Sequence, residues 1–272
     1  MLPISEIVTI LAVNFALCVA VFVALWLVAS AIRDVSFIDS VWGFGMGGLA
    51  LATWAQVGGG APRQLLLIAL CAAWSLRLGV HLILRWRAHG PDRRYVRMME
   101  KAKAERGWGY AQASLRLVFL LQAPLLCIVA LPVQLGQMQA GPAAIGWLAW
   151  AGAALSLFGT AFETLADAQI SRFKANPENQ GRVYAGGLWR YTRHPNYFGD
   201  ICAWVGLYLV AAETPLGAWA FPGPLLLTFV LTRFSGGITY ERRLTRTRPG
   251  YGDYQRRTSS LIPWPPKPAE RA

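Results

Sequence analysis

The sequence predicts an all-α, polytopic membrane protein with a bundle of about seven transmembrane helices. Hydrophobic residues make up 55% of the 272 positions and charged residues only 15%, whereas a soluble domain usually carries about a quarter charged residues. The apolar residues also form long runs that approach or exceed the roughly 18 residues needed to cross a bilayer. Because the strands of a membrane barrel would alternate in polarity, these uniform runs predict helices.

Seven apolar segments follow one another and are expected to form a single transmembrane domain over residues 1–272. The first is too long for the core of a cleaved signal peptide, and no Lys or Arg precedes it, so we expect a true helix. The last two are short and are separated at Pro215, which predicts tilted or broken helices. The seven predicted spans are residues 7–32, 40–57, 64–84, 113–135, 143–170, 197–212 and 216–232.

The distribution of basic residues predicts the orientation of the bundle. With a cytoplasmic C-terminus, all of the 26 Lys and Arg except Arg63, Arg77 and Arg116 fall in cytoplasmic segments, as the positive-inside rule requires. These segments include the loops 85–112 and 171–196 and the tail 233–272. We therefore expect an N-out, C-in protein, which would lie in the inner membrane if the cell is bacterial. Its net charge of +12 reflects topology and attraction to anionic lipid, and no nucleic-acid partner is predicted.

Two motif-like features, a glycine pattern and the four Cys, are not predicted to form binding sites. Residues 43–48 match the pattern G-x-G-x-x-G, but that motif binds dinucleotides only between a strand and a helix. Small residues inside an apolar span indicate close packing of helices in lipid. The four Cys lie in apolar spans without metal-ligand spacing, so no metal site is predicted.

Ionisable residues within the spans are the first candidates for function, because such groups are costly in lipid and usually pair or serve a function. Interfacial snorkelling or a structural ion pair is the alternative for each one taken singly. In the predicted orientation most of them fall in the cytoplasmic half, which predicts one polar cavity open to the cytoplasm. They are Asp39, Arg77, His81, Arg116, Glu163, Asp167 and Asp200.

The densest polar segment is residues 186–200, which read Gly-Gly-Leu-Trp-Arg-Tyr-Thr-Arg-His-Pro-Asn-Tyr-Phe-Gly-Asp. Pro195 suits the first turn of a helix, and exposed backbone N–H groups at a helix start, with arginines nearby, form an anion site. The diphosphate of a nucleotide cofactor is the expected ligand, and a basic interfacial loop is the alternative. The tail around Tyr240 and Glu241 either folds back to cover an adenosine or is merely solvated.

At these residues the sequence resembles the steroid 5-alpha-reductase family, in particular its bacterial branch of uncharacterised membrane proteins. The similar blocks cover most of the chain and are residues 36–43, 74–81, 92–95, 187–200 and 248–254. The Arg-His-Pro core alone also resembles the isoprenylcysteine carboxyl methyltransferases and related phospholipid methyltransferases, which use S-adenosylmethionine. The blocks around Asp39 and Asp92, together with seven spans, favour the reductases.

The resemblance implies NADPH as the hydride donor and a lipophilic α,β-unsaturated ketone, a 3-oxo-4-ene steroid or another isoprenoid lipid, as the acceptor. The family holds the carbonyl with a Glu and a Tyr. Asp39 stands for the Glu here, but Trp74 occupies the Tyr position, so His81 or Tyr95 would replace the Tyr. The implied catalytic residues are thus Asp39, Trp74, His81 and Tyr95. The cofactor-binding residues expected from the polar segments and the resemblance are Arg77, Arg94, Glu163, Asp167, Lys174, Arg182, Arg193, His194, Asn196, Tyr197, Asp200, Arg233, Tyr240 and Glu241.

Two other functions stay open from the sequence. A methyltransferase acting on a membrane lipid or a prenyl thiol would bind S-adenosylmethionine instead of NADPH. A transporter or lipid-binding protein would bind no nucleotide, although the clustering of polar residues on one side argues against it. The expected partners of the enzyme are a lipophilic small molecule and membrane lipids, with no obligate protein partner evident.

Overall fold

The structure is a computed structural model, and it describes residues 2–139, 141, 144–234, 241 and 244–268. These residues form α-helices with a few 3-10 and π-helical turns, and none of them forms a β-strand. The chain divides into two compact units. The first comprises Met1–Trp150 with Leu207–Gly223, and the second comprises Ala151–Gly206 with Pro224–Ala272.

The α-helices of the described chain are, in order, α1 (Ile4–Ile32), α2 (Ile38–Val57), α3 (Pro62–His89), α4 (Arg93–Arg106), α5 (Tyr110–Ser114), α6 (Leu120–Val129), α7 (Leu131–Leu135), α8 (Trp147–Ala175), α9 (Pro195–Ala211), α10 (Pro215–Ala218), α11 (Pro222–Phe229) and α12 (Tyr251–Arg257). The π-helical turn Leu115–Phe119 joins α5 to α6, and a second, Val230–Phe234, follows α11. Proline opens α3, α9, α10 and α11, since its fixed φ suits a first turn where an N–H is not needed.

Among the described residues, five helical segments are long and apolar enough to cross a membrane. They are Ile4–Ile32, Pro62–His89, Tyr110–Val129, Trp147–Ala175 and Pro215–Arg233. The other two predicted spans coincide with α2, which has 20 residues, and with α9, which has 17. The prediction of an all-α, polytopic membrane protein is therefore confirmed, while seven crossings and the N-out orientation stay predictions.

Several helix limits differ from those predicted. The span predicted from residue 143 begins at Trp147, where the Glu213 carboxylate accepts the backbone N–H groups of Gly146 and Ala149 at 3.3 and 3.0 Å. Such a carboxylate cap satisfies donors that a helix start leaves unpaired. The same helix runs to Ala175, so the predicted loop is shorter. The last predicted span is indeed broken, since a turn separates α10 from α11.

Glycines in the first unit allow α2 and α3 to contact each other through their backbones. A Cβ atom at Gly43 would lie 2.5 Å from the Gly79 nitrogen, and one at Gly79 would lie 2.7 Å from the Phe44 ring. Only a residue without a side chain fits at such a distance. The G-x-G-x-x-G pattern therefore contributes a helix-packing surface, as the sequence predicts.

Glycines bring α8 and α9 equally close within the second unit. A Cβ atom at Gly199 would lie 2.6 Å from the Glu163 nitrogen and 2.7 Å from the Gly159 oxygen, and one at Gly159 would lie 2.5 Å from the Gly199 oxygen. The ring of Phe162 also meets that of Phe198 edge to face, with centroids 5.4 Å apart. The glycine and phenylalanine contacts together fix which polar residues of α8 lie opposite those of α9.

Replacing Gly199 by Ala should therefore destabilise the protein, because the added methyl group would meet backbone atoms that cannot move aside. We expect a loss of about 1–3 kcal/mol, typical of overpacking, seen as a lower melting temperature in detergent. The matched control is Gly48→Ala, since a Cβ at Gly48 meets no atom within 4 Å. Equal melting temperatures for the two variants would contradict the close packing.

Candidate functional site

Arg193 and Glu241 form a buried ion pair in the second unit. Arg193 Nε donates to Glu241 Oε1 at 2.6 Å, and Arg193 Nη2 donates to Oε2 at 3.2 Å. Arg193 Nη1 donates to the backbone oxygens of Gln255 and Thr258 at 2.8 and 2.7 Å. The protein itself thus uses four of the five guanidinium N–H groups. Arg193 therefore holds the tail in place, and the phosphate contact expected from the sequence stays a prediction.

Glu241 is the residue at which the Arg-His-Pro motif and the tail meet. His194 Nε2 lies 3.0 Å from Glu241 Oε1, and the His194 ring stacks on Tyr197 with centroids 5.0 Å apart. Gln255 Nε2 donates to Glu241 Oε2 at 3.0 Å. Glu241 is only 6% exposed. The tail is therefore packed against the motif and is not merely solvated.

Residues 244–268, which we call the tail strap, are joined to the motif through the backbone as well. Arg193 N donates to the Ser259 oxygen at 2.8 Å, and Trp264 N donates to the Tyr191 oxygen at 2.9 Å. Thr192 Oγ1 donates to the Leu261 oxygen at 2.8 Å. These bonds hold the strap along the whole segment that precedes α9.

The same contacts keep the Glu241 carboxyl ionised. Burial raises the pKa of Glu241, but hydrogen bonds from His194 and Arg193 and the charge of Arg193 lower it further, and the resulting value is about 2. Since the charged form is the one that the folded protein binds, the ionisation of Glu241 stabilises the fold.

This lowered pKa predicts an acid-sensitive stability. The contribution of Glu241 is fully present above its ordinary pKa of 4.5 and is lost as the pH falls towards about 2, because the unfolded chain takes up the proton more readily. Glu241→Gln should therefore melt below the wild type at neutral pH, and the difference should shrink between those two values. Glu178→Gln, at an exposed position, serves as the control. A difference in melting temperature that does not change with pH would contradict the low pKa of Glu241.

Three buried carboxylates lie on α8 and α9 where these helices touch. Glu163, Asp167 and Asp200 are 3%, 8% and 8% exposed. Because Gly199 contacts the backbone of Glu163, Glu163 and Asp200 lie at one level of the helix pair. Asn196, one turn earlier on α9, has a buried Oδ1 without a hydrogen-bond partner among the described residues. Four residues that the sequence predicts at the cofactor thus lie on this one pair of helices.

A cavity of about 40 Å³ lies within the second unit. This volume is well below the range for small-molecule sites. The motif, the second π-helical turn and the tail strap all contribute to its wall. The wall includes His194, Tyr197, Leu231, Thr232, Glu241 and Leu261.

The predicted phosphate-binding cations of this unit are on the surface. Lys174, Arg182 and Arg233 are exposed, and the backbone oxygen of Arg182 accepts Arg248 Nη1 at 2.6 Å. Tyr240, also expected at the cofactor, lies outside the described residues. No group of three or more His, Cys, Asp or Glu that could hold a metal ion occurs in the described ranges.

The first unit holds a separate cluster around Asp39, at the start of α2. The Tyr95 hydroxyl donates to Asp39 Oδ1 at 2.7 Å, and Arg94 Nη2 donates to Oδ2 at 2.9 Å. Arg85 Nη2 is 3.6 Å from the same Oδ2, and Asp92 caps α4 by accepting the Arg94 N–H at 2.7 Å. The structure thus joins Asp39 to Tyr95, which the sequence named as one of two replacements for the missing tyrosine.

Tyr95 is held in its protonated form. Burial raises the pKa of its phenol, and the Asp39 carboxylate raises it further. Its O–H group can therefore act as a hydrogen-bond donor at any physiological pH.

Two residues of this cluster were missed by the sequence analysis. Trp42 Nε1 donates to Gln122 Oε1 at 2.8 Å, and the Gln122 side chain lies near enough to Tyr95 to lower the pKa of its phenol. A signal was available, because an amide within an apolar span needs a partner. The prediction for the apolar spans rested on ionisable residues, and Gln122 is not ionisable.

The other predicted residues of the first unit lie on α3. Trp74 is buried, at 2% exposure, in the core, and Arg77 and His81 are partly buried one and two turns further along. Trp74 offers only a donor N–H, so of the catalytic candidates Tyr95 is the one that presents an O–H beside Asp39.

The chain is similar to proteins whose function is not described. The profile of the family described as "Protein of unknown function (DUF1295)" matches residues 25–258. An uncharacterized protein of Schizosaccharomyces pombe is 26% identical over an alignment of 228 positions that covers 75% of this chain. The chain spans 64% of the length of that relative. No solved structure matches.

Proposed function

The chain belongs to the DUF1295 family, which is related to steroid 5-alpha-reductase-like proteins, and from this premise we propose that it is an NADPH-dependent reductase. Its substrate would be a lipophilic α,β-unsaturated ketone in the membrane, steroid-like or isoprenoid, in which one activated C=C bond is reduced. The cytoplasmic side, where the basic segments are expected, is the side from which a water-soluble cofactor would bind.

The observation that carries the proposal is the hydrogen bond between Tyr95 and Asp39. Reduction of an enone places negative charge on the carbonyl oxygen, and a positioned O–H donor stabilises that charge. A protonated phenol beside a carboxylate supplies such a donor. Transfer of a methyl group to a thiol or a lipid does not require one.

The arrangement of charges around Asp39 supports a role for Tyr95 towards a substrate. For Tyr95 to donate to a substrate carbonyl, its O–H must turn away from Asp39. Asp39 would then keep the charge-assisted bond from Arg94 and the nearby charge of Arg85. The carboxylate therefore stays compensated when the phenol changes partner. With a hydride delivered to the β-carbon, a proton taken up from water at the α-carbon would complete the saturated ketone.

The residues of the second unit fit a dinucleotide cofactor, and NADPH would supply the hydride. The Asn196 Oδ1 atom, buried and without a partner in the described chain, suits an amide or amine N–H. The carboxylates of Glu163, Asp167 and Asp200 suit ribose hydroxyl groups. The exposed cations Lys174, Arg182 and Arg233 suit phosphates.

A methyltransferase is the second candidate, because the Arg193-His194 pair that the sequence shares with both enzyme families is bound to Glu241 of the tail, an arrangement that does not require a nicotinamide. S-adenosylmethionine would replace NADPH as the ligand of the second unit.

Nucleotide-dependent stabilisation of the detergent-solubilised protein tests the proposal. A ligand at 100 times its dissociation constant stabilises the folded state by about 2.7 kcal/mol, so NADPH should raise the melting temperature while S-adenosylmethionine should not. Asn196→Ala and Asp200→Asn should abolish the shift. Arg256→Ala, an exposed change on α12, should retain it. A shift with S-adenosylmethionine alone would select the methyltransferase, and no shift with either would overturn both.

A further inference from the structure

Two large apolar side chains of the tail strap are left exposed. Ile262 is 65% exposed and Trp264 is 70% exposed. Beside them lies Tyr191, which is 42% exposed and whose backbone oxygen accepts the Trp264 N–H at 2.9 Å. We call these three side chains the apolar face of the strap. None of them belongs to a helix that could cross a bilayer, so lipid around the apolar helices does not explain their exposure.

The backbone of the strap holds the apolar face in a defined position. Lys267 N donates to the Arg257 oxygen at 3.0 Å, and Arg257 Nε donates to the Lys267 oxygen at 3.1 Å. The segment between these two residues is thus fixed at α12 and, through Trp264, at the motif. Its three prolines also restrict φ. Side chains presented on such a backbone lose little conformational freedom when they bind.

Basic residues flank the apolar face. The strap contains five Lys and Arg and one acidic residue, Asp253, which gives it a net charge of +4. Asp253 is 3.4 Å from Arg257 and 3.5 Å from Arg256, so it compensates only part of this charge. Lys267 is exposed beside Arg257, and Arg190 is exposed next to the apolar face. The strap therefore combines an apolar surface with excess positive charge.

The strap lies at the end of the second unit where the apolar segments stop. Two segments that are apolar enough to cross a membrane end in this unit, at Ala175 and at Arg233. The strap is bonded to Tyr191, just before α9 begins, and it shares the wall of the small cavity with Leu231 and Thr232. The ends of membrane helices lie at the level of the lipid headgroups, where Trp and Tyr are enriched.

We propose that the apolar face of the strap docks on the surface of the bilayer, where the neighbouring cations bind anionic lipid headgroups. Ile262 and Trp264 enter the boundary between headgroups and acyl chains, and Arg257 and Lys267 meet the lipid phosphates. A bilayer offers both an apolar layer and a negative surface, whereas a second copy of this chain would bring the same cations and repel the strap. Since Arg193 binds the strap, docking would also hold the motif in its packed form. The proposal does not depend on the reaction proposed above.

Fluorine NMR of the protein in lipid nanodiscs tests the docking. The protein contains fluorotryptophan, and the Trp264 signal is identified from Trp264→Phe. A lipid that carries a spin label near the headgroup should broaden the Trp264 signal, and a water-soluble gadolinium chelate should broaden it little. Broadening by gadolinium alone would place the strap in water and overturn the proposal. Broadening by neither reagent would mean that protein covers Trp264, which would overturn it in favour of a second copy.

The role of the cations is tested with two spin-labelled lipids, phosphatidylglycerol and phosphatidylcholine, each added as a minor component. Phosphatidylglycerol should be enriched at Trp264 roughly fivefold for each cation close to the surface. Arg257→Gln combined with Lys267→Gln should remove most of this preference, as should about 1 M salt without any substitution. Lys101→Gln combined with Lys103→Gln, at exposed positions of α4, removes the same charge and should leave the preference unchanged. Equal broadening by the two lipids in the wild type would overturn the binding of anionic headgroups.

Discussion

Tyr95→Phe is expected to lower the rate of enone reduction by about 100- to 10,000-fold, the range for loss of a positioned proton or hydrogen-bond donor. The variant keeps the ring and loses only the hydroxyl that donates to Asp39 at 2.7 Å. The loss should appear in kcat, because the developing charge on the carbonyl oxygen exists only after hydride addition has begun.

Two measurements separate this effect from misfolding or loss of cofactor. The NADPH-induced rise in melting temperature should be the same in Tyr95→Phe and in the wild type, since the proposed cofactor residues are unchanged. Tyr191→Phe, at an exposed tyrosine, should retain full activity. A Tyr95→Phe enzyme with the wild-type rate would exclude Tyr95 as the carbonyl-holding residue. His81 would then be the remaining candidate for that role.

Arg193→Ala is expected to lower the free energy of unfolding by about 3–5 kcal/mol, as removal of one partner of a buried ion pair does. The side chains of Arg193 and Glu241 are 11% and 7% exposed, so solvent cannot replace the lost contacts. Glu241 would keep its charge with His194 and Gln255 as its remaining donors, and the backbone oxygens of Gln255 and Thr258 would lose theirs.

Thermal melting in detergent measures the loss, and limited proteolysis reports whether the tail strap detaches. Arg190→Ala, at an exposed arginine in the same segment, should change neither. The double variant Arg193→Met with Glu241→Leu should recover part of the stability, because it removes the uncompensated charge. An Arg193→Ala protein that melts normally would show that the pair does not hold the strap.

Much of the fold could be predicted from the sequence because a bilayer imposes a simple requirement on composition. Long apolar runs identified the helices at α1, α3 and α8, and Pro195 marked the start of α9. The beginning of α8 could not be predicted in the same way, because Glu213 caps it from more than 60 residues away. Only the folded chain brings these residues together.

The sequence predicted which residues belong to the candidate site better than it predicted what each residue contacts. Arg193 was identified from the density of its motif, but its partner Glu241 is 48 residues further along the chain, so the ion pair between them could not be predicted. Asp39 and Tyr95 were named from similar sequence blocks, while the hydrogen bond between them depends on how α4 returns to α2. Gln122 was not predicted because it carries no charge, and the candidates within apolar runs were the ionisable residues.

The contact between Arg193 and the tail strap also has a consequence for biosynthesis. The Thr258 oxygen that Arg193 binds is 65 residues downstream, and at roughly 5–20 residues per second of translation it is made about 3 to 13 s later. The guanidinium group lacks both partners until Glu241, and then the strap, have been made. The second unit must therefore reach its final packing after the translating ribosome has passed the strap.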